Sequence, residues 1–201
     1  PAKAGTEYPP TSGEEAWRFY TIARPGEPGG ESWNGAELAE RTGGSVWTPG
    51  TYDPDLNLVY FGTAQTYRPG ILLRPNAGRG ETNDALFTDS TLAFDPDTGK
   101  LVWHYQHLSA DVWDLDWAFE RMLMTVPTPQ GPRKIVLTGG KIALFDALDA
   151  KTGQYLFSFD LGMQTAVNGN VHGAGTGRVL TLPTVVDAKT YGDIYGNDVN
   201  L

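Results

Sequence analysis

The chain has 201 residues, a formal net charge of −9 and no cysteine. That charge argues against nucleic acid or an anionic membrane surface as partner, and the missing cysteines remove disulfides, thiolate zinc sites, cysteine nucleophiles and haem attachment through Cys-x-x-Cys-His. Glycine (25) and proline (14) are abundant while charged residues reach only 19%, a mixture that favours turns and short strands over long helices.

From the N-terminus, "PAKAGTEYPP" lacks the charged-then-apolar pattern of a signal peptide. No apolar run in the chain approaches the roughly 18 residues that span a bilayer. Residues 18–45 read as a surface insertion whose helix candidate is "SWNGAELAERTGG" (32–44), starting near Asn34 and stopping at Gly43. Strand signals follow in "LNLVYFGT" (around 57–64), "STLAFD" (90–95), "KLVWHYQ" (100–106), "RKIVLT" (133–138), "KIALFD" (141–146) and "QYLFSFD" (154–160). Each mixes apolar alternation with β-branched or aromatic residues between turn signals. Between the strand candidates at 100–106 and 133–138 lies "SADVWDLDWAFER", which sets Asp114 and Asp116 between Trp113 and Trp117. Carboxylates among bulky aromatics lose hydration and need partners. Beyond residue 160 the chain enters "AVNGNVHGAGTG" and "YGDIYGNDVNL", of uncertain register, where His172 reads as a polar loop residue.

Internal repetition organises these elements. "AFDPDTGKLVW" (93–103) and "ALDAKTGQYLF" (147–157) share Ala-x-Asp-x-x-Thr-Gly-[Lys/Gln]-x-x-[Trp/Phe], 54 residues apart. "SGEEAW" (12–17) is a damaged copy ending at Trp17, and "VVDAKTYG" (185–192) a doubtful fourth. In each unit an aspartate opens a turn, a glycine supplies positive φ, and the next strand delivers an aromatic ring to a neighbouring blade. A period of about 50 residues is typical of a β-propeller blade. A β-sandwich with two similar hairpins is the competing architecture.

The repeat resembles the tryptophan-docking motif of pyrroloquinoline quinone (PQQ) dehydrogenases, the quinoprotein alcohol dehydrogenase family. The resemblance runs from about "GEEAWRFYTIARPGEPG" to residue 160. It implies an all-β fold, a partial β-propeller of about three to four blades of an eight-bladed parent, as one domain over 1–201 with residues 46–160 as the best-matching blades. It also implies site residues. In that family a tryptophan lies under the flat quinone, and eighteen residues later a metal-ligating amide follows a "YFGTG" strand. Trp47 and Gln65, after "YFGTA", hold those places here. The family's catalytic base is the aspartate of a Trp-Asp pair eleven residues past a docking tryptophan. Trp103 and Asp114 keep that spacing, and Lys141 aligns with the basic residue that contacts the quinone oxygen. A second aspartate two residues after the base marks family members that use a lanthanide, which makes Asp116 a further metal-ligand candidate beside Gln65 and Asp114.

By that resemblance the chain is part of an enzyme that oxidises an alcohol or sugar-type hydroxyl with PQQ and Ca2+ (or a lanthanide), passing electrons to a cytochrome or quinone in the periplasm. The chemistry suits the residue types: an amide and carboxylates for a hard cation, a carboxylate to accept a hydroxyl proton, an ammonium for developing charge. Each position also has a plainer reading. Trp47 can be a docking or core aromatic, Gln65 a strand-end residue, Asp114 an Asx-turn residue and Lys141 an exposed lysine. Asp116 can cap the turn before "FERMLM" or pair with Arg121. A non-catalytic propeller serving as a binding or assembly scaffold is the alternative function, and a calcium-binding β-sandwich the third.

Overall fold

Two four-stranded antiparallel sheets succeed each other along the chain in the computed structural model, which describes residues 13–73 and 82–161. The first contains β1 (Thr51–Asp53), β2 (Leu58–Gly62), β3 (Ser90–Phe94) and β4 (Leu101–Gln106). The second contains β5 (Met122–Val126), β6 (Arg133–Gly139), β7 (Leu144–Asp149) and β8 (Tyr155–Asp160). Both run in simple meander order, which is the build of a propeller blade. The possible fourth repeat copy and His172 lie outside the described residues.

The repeat acts as its residue types require. Asp95 accepts the Asp97 N–H at 2.8 Å, and Gly99, at φ 71°, returns its N–H to the Asp95 carbonyl at 2.8 Å. In the second copy Asp149 accepts the Lys151 and Thr152 N–H groups at 3.0 and 2.9 Å, with Gly153 at φ 72°. The register of each hairpin shifts one step before its turn, at Ala93/Phe94 and again at Ala147/Leu148. Each aromatic then seats on the turn of the next unit. Trp17 donates its Nε1–H to the Pro96 carbonyl at 2.9 Å, and a Cβ on Gly99 would fall 2.4 Å from its ring. Trp103 repeats this one blade on, donating to Ala150 at 3.2 Å, with a Cβ on Gly153 reaching 2.5 Å from the indole. Pro96 and Ala150 are equivalent positions, one past the turn aspartate.

The sheets stack through Leu58, Tyr60, Ala93 and Trp103 against Val136, Leu148, Ala150 and Tyr155. At one side of this seam Lys134 bridges Asp53 and Asp55 at 2.8 and 2.6 Å. The opposite face of the first sheet is covered by the insertion, where Trp33, Ala23 and Ala36 pack on Leu92, Phe94, Phe87 and Ile71. Arg41 ties the insertion together by donating to the carbonyls of Ala36 (3.0 Å) and Ala23 (2.6 Å).

The helix expected over 32–44 takes a different form. It is replaced by two single 3₁₀ turns, Gly30–Trp33 and Leu38–Glu40, because Asn34 (φ 51°) and Gly35 (φ 69°) turn the chain left-handed between them. The strand expected over 141–146 begins only at Leu144. Ahead of it the Ala143 N–H bonds the Gly140 carbonyl, with Ala143 at φ 59°, so Lys141 sits in a tight turn. The sequence signals also omitted β1 and β5, short strands that flank the junction between the sheets.

Candidate functional site

Between β4 and β5 the chain forms a loop, and Asp111 holds its shape. Buried, it accepts the Trp113 N–H at 2.8 Å on Oδ1 and the Leu115 N–H at 2.7 Å on Oδ2. Burial pushes its carboxyl up to about 6, with Asp116 and Asp114 adding to the shift and the two N–H groups opposing it. Asp114 (φ 60°) and Asp116 (φ 22°) both have positive φ. The "WDLDW" segment is therefore not an extended strand, and strand alternation is not what brings the two carboxylates together. Aspartate tolerates the left-handed region better than most residues, and that turn brings both carboxylates to one ammonium.

That ammonium belongs to Lys141, from the β6–β7 turn. Its Nζ lies 3.0 Å from Asp114 Oδ1 and 2.5 Å from Asp116 Oδ2. Its backbone N–H reaches the carbonyls of Leu115 (3.0 Å) and Asp116 (3.3 Å), so the turn and the acidic loop are tied twice. Gln65, just past β2, binds the same carboxylates from the other blade. Its backbone N–H meets Asp116 Oδ1 at 3.0 Å and its side-chain Nε2 meets Asp114 Oδ1 at 2.9 Å. The Gln65 Oε1 is buried and accepts no hydrogen bond among the described residues. Trp47 completes the cluster. The Lys141 Nζ lies 5.8 Å from its ring centroid; Trp47 is 48% exposed and its ring lies edge-on to Phe119 at 6.0 Å. Thr48 fixes this stretch by donating to the Ala118 carbonyl at 2.8 Å.

The structure thus brings Trp47, Gln65, Asp114, Asp116 and Lys141 into one cluster at the junction of the two blades. Asp116 neither caps the turn before β5 nor pairs with Arg121; it accepts from Lys141 and the Gln65 amide. Its side chain is 2% exposed, whereas that of Asp114 is 53% exposed, so one carboxylate is structural and buried and the other faces solvent. Burial raises the Asp116 carboxyl and Asp114 adds to it, although Lys141 and the Gln65 N–H pull the other way. For Lys141, burial works against the ammonium, but Asp116 and Asp114 outweigh it and hold its pKa above the usual lysine range.

Several polar groups behind this cluster went unread in the sequence. Asp89 is fully buried beside it, and burial followed by repulsion from Asp111, Asp116 and Asp114 holds its carboxyl far above the usual range. The Trp117 backbone N–H opposes this shift without meeting ordinary hydrogen-bond geometry, and neither carboxylate oxygen has a hydrogen-bond partner among the described residues. Arg121 is also buried, donating to Thr91 Oγ1 and the Ser90 carbonyl at 3.1 Å each and to Phe119 O. His107 joins Thr91 to Asp146 and stacks on Trp117. The available signal was an acidic residue inside an apolar strand, as in "LFDALD". Among the described residues no group of three or more His, Cys, Asp or Glu is arranged to hold a metal ion. The oxygen donors present are the two carboxylates and the Gln65 amide.

Residues 6–176 match the family described as glucose/ethanol/alcohol dehydrogenase, β-propeller domain, under the heading PQQ. The chain is similar to the quinohemoprotein alcohol dehydrogenase ADH-IIG of Pseudomonas putida, 35% identical over 163 residues, which is 75% of this chain and 22% of that relative. The solved structure of ADHIIG from Pseudomonas putida HK5 superposes with a TM-score of 0.67 at 31% identity, covering 79% of this chain and 24% of that one. A europium-containing methanol dehydrogenase superposes with a TM-score of 0.52 at 27% identity, covering 59% and 20%. The chain spans less than a quarter of the length of each of these proteins.

Proposed function

The chain belongs to the PQQ-type glucose/ethanol/alcohol dehydrogenase β-propeller family, and from that premise we propose that it is part of a dehydrogenase that oxidises an alcohol or sugar-type hydroxyl, with Asp114 as base. The observation that carries this reading is the meeting of Trp47, Gln65, Asp114, Asp116 and Lys141 around one ammonium. When bound, PQQ supplies the hydride acceptor and Ca2+ the Lewis acid.

The residues fit those groups. Gln65 offers a buried amide oxygen with no hydrogen-bond partner among the described residues, next to two carboxylates, and such an oxygen set suits a hard cation. Gln65, Asp114 and Asp116 would hold the metal. The second carboxylate of Asp116 suits a trivalent ion as well, and the likeness to a europium-containing methanol dehydrogenase supports a lanthanide as the other choice. Trp47 presents a half-exposed π-face to a planar cofactor.

Asp114 takes the hydroxyl proton. It is the exposed carboxylate of the pair and so the one a substrate can reach, while Asp116 stays behind it. Lys141 places its ammonium where negative charge develops on the acceptor. Gln65 holds Asp114 in position through its side-chain amide. Electrons leave to a cytochrome or quinone, and the whole protein works in the periplasm. No helix among the described residues is long and apolar enough to cross a membrane.

Titration of the metal-loaded full-length protein with PQQ separates this reading from a non-catalytic scaffold. The enzyme reading expects saturable quenching of tryptophan fluorescence that is weakened by Trp47→Leu. A scaffold gives no quenching and no dye-linked alcohol oxidation, and that pair of results overturns it.

A further inference from the structure

Behind the candidate site a chain of buried polar groups crosses from one blade to the other. Arg121 Nε–H donates to Thr91 Oγ1 at 3.1 Å, and Thr91 Oγ1 lies 2.8 Å from His107 Nε2. His107 Nδ1 lies 2.8 Å from Asp146 Oδ2, and the other Asp146 oxygen accepts the Ser158 hydroxyl, itself 2.8 Å from the Tyr155 hydroxyl. Every member except Tyr155 and Ser158 is at most 2% exposed, and those two are at most 7% exposed.

Thr91 Oγ1 accepts from Arg121 and keeps its own proton and a second lone pair for His107 Nε2, while His107 Nδ1 faces the Asp146 carboxylate. The buried guanidinium and the buried carboxylate at the two ends are joined through one hydroxyl and one imidazole.

The ring has a flat load to carry. His107 stacks on Trp117 at 4.2 Å between centroids and 3° between planes. Trp117 is fully buried and its Nε1–H makes no hydrogen bond among the described residues, so its packing against His107 and Gly140 sets its place. Its indole presses on Gly140, where a Cβ would fall 2.4 Å from Cε2. The next residue is Lys141, whose N–H reaches the Leu115 and Asp116 carbonyls.

We propose that His107 and Asp146 are positioning residues for the Lys141–Asp116–Asp114 cluster, acting through Trp117 and Gly140. Asp146 and Thr91 fix the ring, the ring fixes the indole, and the indole fixes the turn that carries the ammonium. The effect on turnover rests on the dehydrogenase reading above; the effect on the turn does not.

The test uses the full-length protein with His107→Leu and with the double variant His107→Leu/Asp146→Leu. The single change strands a buried carboxylate and lowers thermal stability. The double change removes both polar partners and restores much of that stability, because apolar pairs often replace buried polar ones at little cost. Hydrogen–deuterium exchange, read without cofactor, is expected to quicken about fivefold or more at residues 113–117 and 140–143 in both variants, with β6 to β8 of the double variant unchanged. In the double variant loaded with PQQ and Ca2+, kcat is expected to fall about tenfold at an alcohol KM within about twofold of wild type. Unchanged local exchange, or equal quickening across the whole blade, overturns the positioning role. Wild-type kcat in the double variant overturns its catalytic consequence. Wild-type protein loaded with PQQ and Ca2+ that oxidises no alcohol instead counts against the dehydrogenase reading, and the exchange result still judges the positioning role.

Discussion

The Lys141 ammonium and the Asp116 carboxylate lie 2.5 Å apart, and the Asp116 side chain is buried while that of Lys141 is 37% exposed. Two carboxylates at one place repel unless a cation shares them, and Lys141 is that cation here, reaching Asp114 as well at 3.0 Å. The two blades meet at this cluster, since Gln65 follows β2 and Lys141 follows β6.

Lys141→Met removes the shared charge and leaves Asp116 buried beside Asp114. Metal-free protein is expected to lose about 1–2 kcal/mol, a figure kept low because the lysine is partly exposed. Added Ca2+ should recover most of the loss by supplying another cation to the same oxygens. Thermal melts with and without Ca2+ check this; an unchanged melting temperature in the metal-free variant contradicts it.

The blade contacts predict a contrast between two glycines. Gly153→Ala puts a Cβ within 2.5 Å of the Trp103 ring at φ 72°, whereas Gly131 (φ 108°) has nothing within 4 Å. The first substitution adds overpacking to backbone strain and is expected to cost about 2–4 kcal/mol. The second carries only the strain, about 1 kcal/mol. Urea denaturation midpoints rank the two.

The stability that Asp89 and Asp111 contribute should fall as pH rises from acid toward neutrality in metal-free buffer. Asp89 and Asp111 have carboxyls raised above the unfolded value of about 3.9, so above that pH the fold keeps protons that the unfolded chain releases. Their contribution is full below about pH 4 and is lost as pH climbs, the Asp111 share by about pH 6. Asp89→Asn removes its part. The variant should melt higher than wild type at pH 8, and the gap should shrink toward pH 4. A gap independent of pH would refute the assignment.

The second blade also exposes one apolar face. Phe157, the aromatic equivalent to Trp103 in the repeat, is 48% exposed, and Phe159 and Leu161 follow it on the same side of the chain. Produced alone, the 201-residue chain is expected to self-associate through this face, and Phe157→Glu/Phe159→Glu should shift it toward monomer in light scattering. A monomeric wild-type chain would contradict this.

Much of this was legible because the repeat encodes contacts as well as turns. An aspartate, a glycine and an aromatic at fixed spacing foretell that Trp17 and Trp103 seat on Gly99 and Gly153. Spacing also nominated Trp47, Gln65, Asp114, Asp116 and Lys141, which share one cluster. Three features escaped. The helix at 32–44 fails on backbone reversals at Asn34 and Gly35. The acidic loop is set by left-handed residues and by the Asp111 side chain, neither of which leaves a periodic signal. Asp89, Thr91, His107 and Asp146 are each at most 2% exposed, the first three in or at the ends of β3 and β4 of the first blade and Asp146 in β7 of the second. All five residues of β3 are buried, and a polar residue there does not reveal its burial by pattern.

The central claim is that Asp114 is the base of a PQQ-dependent dehydrogenase, and steady-state dye-linked alcohol oxidation by Asp114→Asn tests it most directly. In the full-length protein, with PQQ and metal occupancy shown equal to wild type, kcat is expected to drop by about 10²–10⁴-fold with the amide in place of the carboxylate. A kcat within twofold of wild type at equal occupancy would contradict the account.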